Sequence, residues 1–344
     1  VVTISIASLI YKSKKYADWV HNSIYKFTPL IRRGEAEFFF VANDPTEELL
    51  AHLQQMKYKH FVNYNPKRTD EELFKMGYGE PEYIHRVYRG WNKAITSATG
   101  DILVLVNSDN YFSPDWLENL LKYSSSKTIV CSKLVERMHP EHGIFPGAYQ
   151  GEFGSHPDNF DEESFLKFCE RVKMTGLQVG GAYMPCALYK RLAIDVGLYP
   201  EGNLAGTSFK DIVAYGDEAF FVKLSKAGAR HVTAMDSIVY HTKEGEMDEP
   251  NDLQGLRSSY GTGAGQKEER WPIAQKFEPL VLKTEDGKQY LAIAKVGALR
   301  VSLREKIERN PTFSSIAMTM KRRLPEKVYN ALIAVWHLLV QRRR

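Results

Sequence analysis

The sequence predicts an α/β chain in which a doubly wound, mostly parallel sheet is flanked by helices and followed by a basic helical extension. Three observations predict it. Short apolar, β-rich runs alternate with helical runs through the first half of the chain, the pattern of a parallel sheet covered on both faces. Small polar residues gather where the apolar runs stop, where ligands of such sheets bind. After about residue 245 the alternation ends, and polar, Gly-rich and then basic sequence follows.

Each element has its own signal. Val2 to Leu9 is apolar and β-rich, a first buried strand, and 16–25 reads as a helix. EFFFVA at 37–42 is a second strand that stops in the turn Asn43-Asp44-Pro45, followed by the helical TEELLAHLQQM. Residues 60–64 form a short third strand, 84–99 a helix, and 101–106 a fourth strand running into Asn107-Ser108-Asp109-Asn110. A helix over 114–123 has Pro just inside its start. The stretch from 138 to 180 reads as loop-rich. Order returns with 182–188 and a helix near 189–196, then a polar start and helix over 215–228 that stops at Gly228. A final strand over 231–240 closes on His241. A boundary near 245 divides a sheet domain, 1–245, from an extension, 246–344.

Composition narrows the classes. The chain has 344 residues, 43% hydrophobic and 26% charged, the make-up of a globular protein with room for one large α/β domain and an extension. Its three cysteines form neither a zinc spacing nor a disulfide framework, which points to a reducing compartment. The opening residues alternate like a strand, so no secretory leader is expected. From residue 294 onward twelve Lys or Arg face three Asp or Glu, a balance of +9 that leaves −5 on the preceding residues of a chain with net charge +4. A mildly acidic body with a basic tail suits a polyanionic partner.

The polar strand ends carry the chemistry. Residues 107–110 would serve as a turn, since turns favour these types, but 43–44 ends a second strand of the same sheet in the same way. Between them lies a helix with Arg86, Arg89 and Lys93 on one face, at helical spacing. Asn92, Ala94, Ala98 and Gly100 lead into the fourth strand. Farther on come Gly180-Gly181-Ala182, the turn Val196-Gly197-Leu198-Tyr199, the acidic pair Asp217-Glu218 eleven residues ahead of Gly228, and His241.

In that order and spacing, residues 1–245 resemble the family 2 glycosyltransferases of the GT-A fold, whose sheet is Rossmann-like. The resemblance implies a nucleoside-diphosphate-sugar donor held by Ser8 and Tyr11 after the first strand, by Asp44 at the base, and by Arg89, Asn107, Ser108, Asp109 and Gly181. It implies a metal, Mn or Mg, held by Asp109 and His241. It also implies Asp217 as general base, with Glu218 its neighbour and rival, and inversion at the anomeric carbon. The physical logic agrees. Sugar transfer leaves negative charge on the departing diphosphate, which a divalent cation with oxygen and imidazole ligands neutralises. Asn107 stands where the family has Asp and contributes hydrogen bonds but no charge. Asp217 and Glu218 also suit a helix N-terminus on structural grounds alone.

Other features point elsewhere or nowhere. His139 and His142 sit in a Pro- and Gly-rich loop without a third ligand. The glycines at 261–265 follow no strand and lack a Gly-Lys-Ser/Thr ending, so a loop able to close over the site describes them better than a phosphate loop. In the tail, Leu324, Val328, Leu332, Val335, Trp336 and Leu339 follow helical spacing between basic clusters, and the apolar run is too short to span a bilayer. Residues 320–344 thus suit the anionic surface of a membrane, with the enzyme peripheral at its cytoplasmic face. The expected acceptor is a hydroxyl of a lipid-linked glycan or polysaccharide. A nucleotidyltransferase would need glycines that Tyr11-Lys12-Ser13-Lys14-Lys15 lacks. A basic binding protein would need a nucleic-acid module, and none is evident; no nucleic-acid partner is expected.

Overall fold

Alternate residues of the first apolar run, strand β1 (Ile4–Ile10), point to opposite faces of one sheet, and both faces are covered. Ile4 and Ile6 pack with Phe38, Phe40 and Val104, whereas Ala7 packs with Phe39, Val41 and Leu105. That double burial explains why the expected strands read as continuous apolar runs. The computed structural model describes residues 3–67, 69, 82–138, 144–145, 147–199, 216–243, 245–246, 281–283 and 289–291. His139 and His142, the glycines at 261–265 and the tail at 320–344 lie outside the described residues.

The remaining strands of the main sheet are β2 (Ala36–Asn43), β3 (His60–Asn63), β4 (Ile102–Val106), β5 (Asn110–Phe112), β6 (Thr128–Glu136), β7 (Tyr149–Gln150), β8 (Leu177–Val179), β9 (Cys186–Tyr189) and β10 (Arg230–His241). Their order is β3-β2-β1-β4-β9-β6-β10-β5, with β7 on β6 and β8 on β10. β3, β2, β1 and β4 are mutually parallel, as are β6 and β10. β9 runs antiparallel between β4 and β6, and β5 runs antiparallel to β10. The sheet is therefore mixed about a parallel core. Helices Lys14–Phe27, Glu47–Gln55 and Glu82–Ser97 follow β1, β2 and β3, giving the expected α/β alternation. Ser13 and Thr46 cap the first two, each side chain accepting an N–H of the first turn.

Two expectations need correction. The stretch from 138 to 180 is not all loop: Glu162–Val172 is a helix whose cap, Asp161, accepts from the Ser164 N–H at 3.0 Å. Its acidic first turn suits the helix dipole, and Phe165 and Cys169 are buried one turn apart. The turn after β4 is also shorter than it reads, because Asn110 already belongs to β5 and is fully buried.

One glycine is required by close approach. A Cβ on Gly100 would lie 2.7 Å from the Ser5 backbone nitrogen, and the Gly100 N–H reaches Ser5 Oγ at 2.8 Å. This contact seats the entry to β4 against the start of β1.

Candidate active site

The carboxyl ends of β4, β6 and β10 converge through strand register. β5 pairs His241 with Asn110, and β6 pairs His241 with Glu136. Asp109, one residue before β5, is thereby brought to the imidazole: His241 Nε2 lies 3.3 Å from Asp109 Oδ2, while His241 Nδ1 lies 2.8 Å from Glu136 Oε1. Backbone contacts tighten the corner. The Thr242 N–H donates to the Asp109 carbonyl at 3.1 Å and the Gly245 N–H to its carboxylate at 3.3 Å. Glu136 also accepts from the Lys243 ammonium at 2.9 Å and the Phe145 N–H at 2.6 Å.

Burial disfavours every charge in this corner, and the charges hold one another in place. Against burial, the neighbouring His241 charge and the Gly245 N–H keep the Asp109 carboxyl below its usual range. Against burial, His241, the Phe145 N–H and Lys243 lower Glu136 to about 2. Burial would lower His241, but Asp109 and Glu136 raise it to about 10.

Asp109 Oδ2 and His241 Nε2 lie 3.3 Å apart, and with Glu136 on Nδ1 the Nε2 atom could serve an ion once its proton is displaced, the carboxylate–histidine arrangement that supports metal sites. No group of three such ligands occurs among the described residues. Asp109 and His241 therefore offer two ligands of the types a divalent cation takes, and an ion held there would draw its other ligands from outside the described residues.

A second carboxylate, missed by sequence reasoning, lies beside this corner. Glu246 is 8% exposed and accepts from the backbone N–H groups of Tyr11, Lys12 and Ser13 at 3.0, 2.9 and 2.8 Å. Ser108 Oγ donates to it at 3.4 Å. Burial raises its carboxyl to about 7 against the pull of those donors. A carboxyl whose folded pKa lies above its ordinary 4.5 binds its proton more tightly in the folded state, so its contribution falls as pH rises from about 4.5 to about 7. Glu246→Gln should therefore flatten the rise in stability seen on lowering the pH across that window, measured by urea unfolding at several pH values. An unchanged pH slope would refute the assignment.

The expected base-binding residues form a polar network at the ends of β2 and β3. Asp44, at φ +49°, accepts from the Asn65 N–H and Nδ2, each at 2.8 Å, and lies 3.5 Å from Arg86 Nη1. Arg89 Nε donates to Asn65 Oδ1 at 2.8 Å, which places this arginine in the Asp44 network. Asn63 and Asn65 complete it through Asn43 Oδ1, at 2.8 Å each. Sequence reading missed both, since each is an unremarkable residue at the end of a short strand.

The other expected site residues are placed as follows. Ser8 is fully buried within β1, its hydroxyl on the Leu9 carbonyl at 3.3 Å. Tyr11 is 46% exposed at the end of β1. The Asn107 N–H donates to Asn110 Oδ1 at 3.0 Å, closing the turn. Gly181 has φ +128°, and a Cβ there would fall 1.9 Å from Thr233 Oγ1, so glycine is required by that contact. Asn92 exchanges hydrogen bonds with the Tyr199 backbone at 2.8 and 2.9 Å, joining its helix to the 196–199 turn. Asp217 is half-buried in the first turn of the helix Gly216–Lys226. Burial first, and the Asp217 charge among the lesser causes, raise the Tyr199 phenol. The Glu218 side chain lies outside the described residues.

Residues 71–197 match the family model described as Glycosyl transferase family 2. No curated protein matches the chain. Among solved structures, the chain is similar to GalNAc-T7 with UDP, GalNAc and Mn2+ at 15% identity and TM-score 0.43, over 70% of this chain and 43% of that one. It is similar to S. aureus TarS 1-349 at 14% identity and TM-score 0.43, over 70% of this chain and 60% of that one. The mannosyltransferase PcManGT from Pyrobaculum calidifontis, in complex with GDP-Man and Mn2+, matches at 14% identity and TM-score 0.47, over 99% of this chain and 81% of that one. The chain thus spans about half the length of the first two.

Proposed function

We propose that this chain, a glycosyltransferase carrying a family 2 segment over residues 71–197, transfers a sugar from a nucleoside-diphosphate donor to a hydroxyl of a lipid-linked or polysaccharide acceptor. The observation that carries the reading is the meeting of Asp109 and His241, 3.3 Å apart at the carboxyl ends of the strands, with Glu136 2.8 Å behind the imidazole. That arrangement suits a metal-bound diphosphate.

Asp109 and His241 would hold the ion, Mn or Mg. Bound there, a divalent cation supplies Lewis-acid neutralisation of the charge left on the departing diphosphate. Glu136 orients the imidazole, and the Gly245 N–H fixes the Asp109 carboxylate. The Asp44–Asn65–Arg86 network lies at the ends of β2 and β3, suited by its donors and acceptors to the base of the nucleotide. Asp217 takes the proton of the acceptor hydroxyl as that oxygen attacks the anomeric carbon and the diphosphate leaves. One displacement with one base inverts that carbon. The tail at 320–344, whose sequence sets an apolar run between basic clusters, would hold the enzyme against an anionic cytoplasmic membrane surface.

A panel of nucleotide sugars with MnCl2, scored for release of the nucleoside diphosphate, tests the reading. Asp217→Asn should keep donor affinity and lose transfer by ~10²–10⁴-fold, the usual contribution of a general base. Full turnover in that variant would remove Asp217 from the role, and triphosphate cleavage to pyrophosphate would replace glycosyl transfer with nucleotidyl transfer.

A further inference from the structure

Lys133 is 6% exposed on β6, three residues before Glu136. Its ammonium donates to Gln178 Oε1 at 3.2 Å and lies 4.7 Å from the centre of the Tyr149 ring. No carboxylate pairs with it among the described residues. An ammonium taken from water without an opposite charge is costly, and burial lowers its pKa. The amide oxygen and the aromatic face offset only part of that cost. A buried cation whose described partners are neutral has capacity for an anion.

The surroundings give that capacity a place. Lys133, Phe145, Gly147, Gln178, Gly181 and Thr233 line a small concavity open to solvent, with room inside the protein surface for little more than one water-sized group. It adjoins the candidate active site through two residues. Phe145 donates its N–H to Glu136, the carboxylate that holds His241, and Gly181 belongs to the glycine segment expected at the donor. The glycines keep the concavity open: a Cβ on Gly147 would sit 3.3 Å from Gln178 Nε2, and one on Gly181 would strike Thr233. Gln178 has its oxygen on Lys133, so its amide N–H groups add further donors to the same wall. Donors and one positive charge, with no anion supplied by the described residues, describe a receptor for an oxyanion.

We infer that this concavity binds an anionic substituent, a carboxylate or phosphate carried on a sugar, and that Lys133 is the residue that reads it. The position beside the donor rests on the glycosyl-transfer reading; the anion preference does not. The substituent belongs either to the transferred sugar or to the acceptor.

Calorimetry on the full chain separates these. Glucuronate and glucose 6-phosphate are compared with glucose, with and without MnCl2 and UDP, and UDP-glucuronate is compared with UDP-glucose. Wild type should favour the anionic member of at least one set. Lys133→Met should weaken that member about ten- to hundredfold, the worth of a charged hydrogen bond, and leave the neutral member unchanged. Lys133→Arg should largely restore it. Binding of the free anionic sugars alongside UDP assigns the substituent to the acceptor; a preference seen only in the nucleotide-linked pair assigns it to the donor. If wild type favours no anionic member, or Lys133→Met keeps the preference, the inference is overturned. Should Lys133→Met fail to fold by thermal unfolding, Lys133→Gln is read in its place. Failure of the glycosyl-transfer reading shows separately, as absent nucleotide-sugar turnover in wild type, and leaves the free-sugar comparison standing.

Discussion

Asp109→Asn is expected to reduce metal-dependent donor turnover about 10³-fold, because it removes the carboxylate charge proposed to hold the ion while keeping the side-chain shape. Several kcal/mol of charge stabilisation by a bound cation corresponds to rate factors of that order. The fold should survive. His241 keeps Glu136 at 2.8 Å, the Thr242 N–H still finds the backbone carbonyl of residue 109, and the cost is that of one charged hydrogen bond, ~1.5–3 kcal/mol. EDTA should bring wild type down to the level of the variant. Calorimetric titration of the donor with MnCl2 checks the binding step, and wild-type affinity in the variant would remove Asp109 from the metal site.

Glu136 should matter as much to stability as Asp109 does to turnover. Glu136→Ala leaves the His241 and Lys243 cations and the Phe145 N–H facing a void, and breaking a buried pair in this way costs ~3–5 kcal/mol. Glu136→Gln keeps the shape and tests the charge: support behind a metal-bound imidazole is worth ~10–100-fold in metal affinity or activity. Its pH signature has two limbs. Glu136, depressed from 4.5 to about 2, contributes stability that is complete above 4.5 and lost as pH falls through about 2. His241, raised from 6.5 to about 10, contributes stability that is complete below 6.5 and lost as pH rises through about 10. In metal-free protein the gap between wild type and Glu136→Gln should therefore be widest between about pH 4.5 and 6.5 and narrow on both sides, as read from chemical unfolding. A gap independent of pH would show that the carboxylate acts by shape alone.

The parallel core was legible in the sequence because strands buried on both faces write themselves as unbroken apolar runs. β1, β2 and β4 lie where those runs lie, and β3, half-buried throughout, lies where the short third strand was expected. β6, TIVCSKLVE, mixes Thr, Ser, Lys and Glu among its apolar residues and was not expected as a strand: Glu136 matters only because register sets it opposite His241, and register is a relation between distant segments. Glu246 escaped for the same reason, since its three backbone donors are 233 to 235 residues away. The helix Glu162–Val172 was missed because Asp-Glu-Glu, its cap and first turn, has the composition of the loop before it. Asp109 and His241 were found as residue types in order, but what brings them together is β5, a three-residue strand too short to leave a pattern.

The place of β10 has a consequence for synthesis. A chain emerging from the ribosome completes β1, β4 and β6 well before β10, which then enters between β6 and β5. Domains generally fold as units as they emerge, and pairings between distant segments form slowly. His241 and Glu246 both arrive with or after that last strand. The Asp109–His241–Glu136 corner therefore cannot assemble partway through translation; it forms in one late event, when β10 completes the main sheet.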